Sequence, residues 1–563
     1  MDRSDPTPLA FRGDSFASPR PNRRTLVKGV AWSAPVLAVA TTAPALAASS
    51  PTGQCFPEGT LFDAQALGRL VSGAIGGINL DTVAEVEGVH ARAFDPQAPG
   101  ADGTDRDEQA NPLSVEALSA LTLNLGGLSG ALSTILDLTA GAQVGAVNQY
   151  GLAIAEAEAT GSGEIGGSGT VSDNGTLELA TGNDGPPQLG TLNLREVLEE
   201  ATELPGVADL VGSVADLTLE IGALGGLVTA DSLCEVPDIE QVDRRYVLAS
   251  LGLDVETAVV GELLSALESA LPELTISTGA VWDLLEGVPL LGGLLSALGE
   301  SALEVTATVD VTQLTAESIP DEPNAALQLD LGEGTIAIDL ASLLGGAYTG
   351  NTSDWLNELG PNTRLFVDAP LPGDAVTGLV DSWVDDLVER LKDLVSVTVR
   401  AGSVSGLLAT GLLIEGSLRD FLDGTATAEF VLSGVGIPLG SLLNPLLGGI
   451  GDLVESTLRT LLNDNAVLET AFDGVNALLA TLFDVLSGVL AITLNAQNNA
   501  SGTMPAYYQS INDPAEFDVA ALHLEVLGVA DLLNLSLGRG IYGPNVARTA
   551  SSDSAGFRLP FAD

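Results

Sequence analysis

Carboxylates aside, residues able to do chemistry are few in this sequence. Its 563 residues include two histidines, two cysteines and 75 Asp and Glu. His90 sits in "EVEGVHARA" and His523 in "AALHLEVLG". Both lie within strand-like alternation, which reads as surface or core histidine rather than catalytic base. A Ser/His/Asp relay would need one of them, and no G-x-S-x-G is present. The nearest stretch, Gly402-Ser403-Val404-Ser405-Gly406, has valine where the nucleophile belongs. There is no H-E-x-x-H, phosphate-binding loop or dinucleotide fingerprint. In so acidic a chain carboxylate pairs arise everywhere, so pairing alone does not mark a glycosidase site. Trp282 and Trp383 fall on apolar faces of expected helices, which reads as core, and with Trp355 they leave few platforms for sugar rings. No catalytic residue and no cofactor is assigned.

Two other sets of residues carry chemistry. Asp102, Asp105, Asp107 and Glu108 cluster in an expected loop, and hard oxygen ligands suit Ca²⁺, although the D-x-[DN]-x-[DN]-G pattern is missing. Cys55 and Cys234 have no histidine nearby to complete a metal ligand set, so a disulfide is the reading for an exported chain.

Export is written near the start. Asn22-Arg23-Arg24-Thr25-Leu26-Val27-Lys28 leads into "GVAWSAPVLAVATTAPALA", an apolar run of modest hydrophobicity. Paired Arg23 and Arg24, that run, and the small residues Ala45 and Ala47 at the cleavage site make a bacterial signal peptide over residues 1–47. Its head is of the twin-arginine type, with an ordinary secretory signal as the alternative, and the mature chain begins near Ala48. Twin-arginine substrates cross the membrane folded.

Net charge is −54, and the signal holds six of the 21 basic residues against three acidic ones, so cleavage deepens the imbalance. Lys392 is then the sole lysine. Such a field repels nucleic-acid phosphates and anionic lipid and favours solubility. Disorder does not fit a chain with this much Leu, Val and Ile.

Two textures alternate through the mature part. In "SALEVTATVDVTQLTAE", Leu303, Val305, Ala307, Val309 and Val311 face one way and Glu304, Thr306, Thr308, Asp310 and Thr312 the other, a half-buried strand with a Thr-rich outer face. Similar strands are expected at 142–160, 216–228, 244–257, 325–340, 395–404, 425–434, 489–496 and 517–528, with a type I′ hairpin turn at Asn174-Gly175. The second texture is amphipathic helix, at 260–272, 281–300, 376–394, 441–463 and 467–488; in 376–394, Val380, Trp383, Leu387, Leu391 and Leu394 recur at helical spacing. A weak repeat relates "GTLNLREVLEE" (190–200) to "GTIAIDLASLLGG" (334–346). The fold class is α+β: strand-rich, β-sandwich-like sheets with several packed amphipathic Leu-rich helices.

Linkers are expected at 94–112, 234–241 and 318–325. The division is a signal peptide (1–47), a strand-rich N-terminal domain (48–235), a helix-plus-strand region (236–547) and a flexible tail (548–563). The uncharged runs 117–136 and 430–451 are interrupted by Gly, Pro, Ser, Thr and Asn, unlike a bilayer-spanning helix, so no membrane span is expected in the mature chain.

Phrases along the chain then add up. "SGAIGGINLDTVAEVEGVHARA" (72–93), "NPLSVEALSALTLNLGG" (111–127), "GAVNQYGLAIAEAEATGSGEIGGSGTVSDNGTLEL" (145–179), "GPNTRLF" (360–366) and "LLNLSLGRGIYGPNVA" (532–547) resemble the choice-of-anchor G family. That resemblance implies an exported surface protein of actinobacteria, with no known activity and no catalytic residues to carry over. Family members differ in their C-terminal sorting signals. Here Leu559-Pro560-Phe561-Ala562 has alanine where a sortase motif has threonine, so the expectation is a released or loosely held protein. The functional expectation is a non-enzymatic cell-surface or secreted protein of structural or adhesive role, meeting envelope or extracellular components. A carrier of an apolar ligand and an extracellular carboxylate-based glycan hydrolase are the alternatives.

Overall fold

A computed structural model describes residues 54–55, 62–82, 87–94, 106–113, 135–138, 147–155, 164–177, 188–230, 234–237, 239–288, 302–322, 325–345, 352–371, 375–403, 410–432, 435–438, 443–510, 513–529 and 532–547. The signal residues Arg23, Arg24, Ala45 and Ala47, the candidates Asp102 and Asp105, and the tail 548–563 lie outside them.

Among the described residues the fold is α+β and strand-rich, built on four large antiparallel sheets, a separate two-stranded ladder and 11 helices. Sheet A orders the strands Leu327–Asp330, Thr335–Asp339, Leu251–Glu256, Asp216–Gly222, Gln188–Asn193 and Leu136–Asp137. Sheet B orders Val242–Leu248, Leu224–Ala230, Glu164–Gly169, Asn148–Ile154 and Arg106–Ala110. Sheet C has eight strands, its backbone being Thr363–Arg364, Leu490–Gln497, Phe517–Val526, Leu533–Tyr542 and Phe62–Ile75, with Ile78–Asn79, Val89–Phe94 and Val546–Ala547 also paired to the last of these. Sheet D orders Leu303–Val309, Val395–Gly402, Thr410–Ser417, Thr427–Leu432 and Val435–Pro438.

Strands from both sides of residue 235 share sheets A, B and C, so the division expected there runs through the sheets and not between them. The apparent long strands 216–228 and 244–257 are each bent in two. The chain leaves sheet A for sheet B at Gly222-Ala223 and returns at Ala249-Ser250, where the Gly222 amide donates to the Ser250 carbonyl and the Ala249 amide to that of Ala223. Gly222 permits the corner because a Cβ there would lie 2.5 Å from the Ser250 amide nitrogen. Two expected linkers carry strands, Arg106–Ala110 and Cys234–Val236, and in the third Ile319 bridges Leu329. The Asn174-Gly175 turn forms, closed by Val171 opposite Leu177, but it is not type I′. Gly175 alone has positive φ (74°), with the three-residue loop length that a left-handed glycine allows.

Amphipathic spacing finds the helices Ala258–Ala270, Ala375–Leu394, Asn444–Asp464 and Ala466–Gly488, whereas the expected helix 281–300 is helical to Glu286 and its residues 289–300 lie outside the described ones. Ala375–Leu394 buries Val380, Trp383, Leu387, Val388 and Leu391 and continues without a break into Val395–Gly402, and Ala466–Gly488 leads into Leu490–Gln497 in the same way. Ala466–Gly488 is long and apolar enough to cross a bilayer, yet its exposed side carries Glu469, Asp473 and Asp484 while its apolar side packs on Ala258–Ala270, Ala375–Leu394 and Asn444–Asp464. The weak repeat is real structure. Asn193 and Asp339 end two non-adjacent strands of sheet A and cap the short helices Leu194–Glu199 and Leu340–Leu344, accepting from the amides of Glu196 (3.0 Å) and Ser342 (2.7 Å).

Sheets B and C stack face to face, and glycine sets their spacing. A Cβ on Gly166 would strike the Ile541 carbonyl oxygen and stand 2.6 Å from that of Leu67, and Gly226 meets the Gly538 carbonyl in the same manner. Backbone therefore rests on backbone where side chains normally separate stacked sheets by about 10 Å.

Candidate functional site

The chemistry-bearing side chains collect on sheet C beneath a short helix, Ala506–Ser510. Strand Phe517–Val526 supplies Asp518, His523 and Glu525, and strand Leu533–Tyr542 supplies Ser536 and Arg539. His523 stands opposite Ser536 in the ladder, and Arg539 is three residues further along. In a regular strand those two positions face opposite ways. Left-handed backbone at Gly538 (φ 64°), with Asn495 (φ 53°) in the same region of the sheet, breaks the alternation. Arg539 and His523 consequently both reach Tyr507: the guanidinium lies 5.3 Å from its ring centroid, and the imidazole stacks at 6.3 Å.

Arg539, Asp518, His523, Ser536 and Tyr508 are all fully buried. The Arg539 guanidinium donates to Asp518 Oδ2 through Nε (2.7 Å) and NH2, and to the Tyr507 hydroxyl through NH1 (3.0 Å). It also lies over the Tyr508 ring at 5.8 Å. Burial disfavours its charge, but Asp518 together with the Tyr507 and Tyr508 hydroxyls outweighs that and holds the guanidinium pKa above its usual value. Burial raises the pKa of both tyrosine hydroxyls. Next to this pair, His523 Nδ1 is 2.8 Å from Ser536 Oγ and Nε2 is 3.5 Å from Glu525 Oε2. The contact with His523 holds the Glu525 carboxyl below the usual range.

Ser536, His523 and Glu525 have the composition of a hydrolytic relay. Their geometry differs, since a reacting serine needs access for substrate and Ser536 and His523 are sealed under Tyr507 and Tyr508. In this conformation the cluster can hold two strands and a helix together, and it can present no nucleophile. Sequence reasoning left His523 open between surface and core, and the structure buries it fully; the buried ion pair it missed. The available signal was a charge inside an apolar strand, Asp518 in "FDVAALHLEV" and Arg539 in "LGRGIY".

A second buried acid, Glu164, begins the central strand of sheet B. Glu164 accepts from Asn545 Nδ2 at 3.2 Å on both oxygens, and burial raises its pKa well above the ordinary value. Glu516 is similarly buried, with Asp518, Asp513 and Arg539 as the charges around it, and burial lifts it to about 8. An acid whose pKa is raised by folding is accommodated best when protonated. Its contribution is complete below the unfolded value and is lost as pH rises through the folded one. Unfolding midpoints should therefore fall between pH 5 and 9, and Glu516→Gln should flatten that fall by an amount on the order of a few kcal/mol at the alkaline end. A wild-type profile parallel to that of the variant would contradict this.

The remaining sequence candidates are placed as follows. Asp107 and Glu108 alternate on strand Arg106–Ala110, not in a loop. Asp107 accepts from the Arg92 amide (2.8 Å) and from Gln109 Nε2 (2.9 Å), and Glu108 from the Tyr150 hydroxyl (2.8 Å) and Arg106 (3.0 Å). A strand turns these two carboxylates to opposite faces, so it does not aim them at one ion. Among the described residues no three His, Cys, Asp or Glu side chains gather around one point. His90 is half-buried, accepts from Arg92 Nε (3.2 Å), and is lowered to about 4 by burial and then by Arg92. Trp383 is core and donates to the Ile319 carbonyl (2.8 Å). Cys55 and Cys234 stand directly opposite each other in a two-stranded ladder, Gln54–Cys55 against Cys234–Val236. An open polar groove along helix Asn444–Asp464 is lined by Asp452, Glu455, Ser456 and Arg459, with Glu455 paired to Lys392 (3.2 Å) and Arg459 (3.1 Å).

Fold and site together define a strand-rich α+β protein with a sealed polar centre. Residues 66–543 match the family described as a domain of unknown function, DUF8394, and the chain belongs to that family. No curated protein and no solved structure matches the chain.

Proposed function

We propose that this is an exported, non-enzymatic cell-surface or secreted protein with a structural or adhesive role. The observation that carries the reading is the pairing of the first strand of sheet C with its last. Phe62 stands opposite Ala547 and Asp63 opposite Val546. The described part of sheet C thus begins and ends on paired strands, with Phe62 and Ala547 side by side at one pole. The leader with Arg23 and Arg24, and the likeness to choice-of-anchor G proteins, support the same reading. Sheet D adds a hydroxyl-rich outer face, with Thr306, Thr308, Ser396 and Thr427 exposed and Thr306 directly opposite Thr398. Such a face suits hydrogen bonding to envelope glycan or protein, while the acidic surface disfavours nucleic acid. Culture fractionation tests the proposal. The protein should be recovered from the medium or from a high-salt wash of whole cells, and a mainly cytoplasmic protein would overturn it.

A further inference from the structure

We infer that Cys55 and Cys234 form a disulfide that closes only after the chain has folded, as the last covalent step of its maturation. The inference rests on the export reading for its oxidant and on the ladder for its geometry. Cys55 belongs to the segment just after the leader, and Cys234 to the tip of the long hairpin that crosses from sheet A to sheet B. The ladder sets the two directly opposite, with an irregularity between Gln54 and Cys55 that lets Gln54 face Val236. Opposed residues of an antiparallel pair have Cα atoms about 4.5–5.5 Å apart, within the roughly 4.4–6.8 Å that a disulfide spans. Loop closure over such a separation is improbable in an unfolded chain, and folding removes that barrier before any bond forms.

The ladder has only two residues on one side and three on the other. Strands this short are marginal alone, so the covalent link would act as a clasp for the segment that the leader vacates. In the balanced step, one cysteine thiolate attacks a disulfide oxidant of the exported compartment, an oxidised thiol–disulfide oxidoreductase, and expels a thiolate from it. The other cysteine thiolate attacks the mixed disulfide and expels the second thiolate. Two protons leave the protein, two electrons pass to the oxidant, and one S–S bond forms.

The test begins with full-length protein purified under reducing conditions and then treated, still folded, with oxidised glutathione. The expected result is one intrachain link between the Cys55 and Cys234 peptides, loss of both alkylatable thiols, and closure at least about ten-fold faster than in denaturant. Persistent glutathione adducts on both cysteines, intermolecular dimers, or equal rates folded and unfolded would overturn the inference. Cys55→Ser should leave one alkylatable thiol, and Cys234→Ser likewise. In a second arm, protein recovered from outside the cell should have neither cysteine open to alkylation, and two free thiols there would count against the clasp. Closure in the first arm with no protein outside the cell would retain the pairing and sink the export reading, so the two failures are distinguishable.

Discussion

Replacing Asp518 with alanine is expected to lower the unfolding free energy by about 3–5 kcal/mol, because it strands the Arg539 guanidinium in a site that water does not reach. Asp518 and Arg539 are both fully buried, and the guanidinium also meets the Tyr507 hydroxyl and the faces of two tyrosine rings. Neutral contacts of that kind do not replace a carboxylate's charge. The converse change is gentler. The pair Asp518→Leu with Arg539→Met removes both charges together, and it should recover most of the loss, since buried ion pairs exchange for apolar groups at little net cost. An exposed pair makes the control: Asp385→Ala, which removes the contact to Arg459, should cost about 1 kcal/mol or less. Urea midpoints of the four proteins would decide the matter. A single variant as stable as wild type would mean that Asp518 does not hold the guanidinium.

The second large effect is steric. Gly166→Val should prevent folding or cost more than about 3 kcal/mol, beyond ordinary overpacking of a core, because the obstacle is backbone and not a side chain that can turn away. Gly378 offers the contrast. It lies on the exposed side of helix Ala375–Leu394 with open space where a Cβ would go, so Gly378→Ala should stabilise by roughly 0.5–1 kcal/mol. If soluble, cooperatively folding Gly166→Val protein were obtained, the two sheets would have to stand further apart than described.

These two sites also mark where sequence reasoning succeeds and stops. Helices announce themselves because Trp383, Leu387 and Leu391 must share one face, and period alone finds that face. Alternation found the strands, but it could not see the corner at Gly222-Ala223, where the backbone changes sheets while the apolar pattern runs on. Nor could it place sheet partners: Phe62–Ile75 pairs with Leu533–Tyr542, and nothing local in either strand specifies the other. The polar cluster was half legible. His523 reads as a surface or core histidine and not as a base, whereas its contact with Ser536 and the turning of Arg539 onto the same face depend on positive φ at Gly538. Asp107 and Glu108 read as loop from the Pro-, Gly- and Asp-rich stretch around them, whereas this strand forms through edge pairing to Asn148–Ile154. Asn174-Gly175 favoured a turn correctly, while the turn type depended on Asn174, which keeps an ordinary negative φ.

Peptide mapping of the protein collected from the medium and the salt wash tests the central claim, export of a body that is sealed before it reaches the surface. The account predicts an amino-terminal peptide beginning at or next to Ala48, following Ala45 and Ala47, on a chain that resists protease while folded. A protein found only inside the cell, with residues 1–47 still attached, would contradict it.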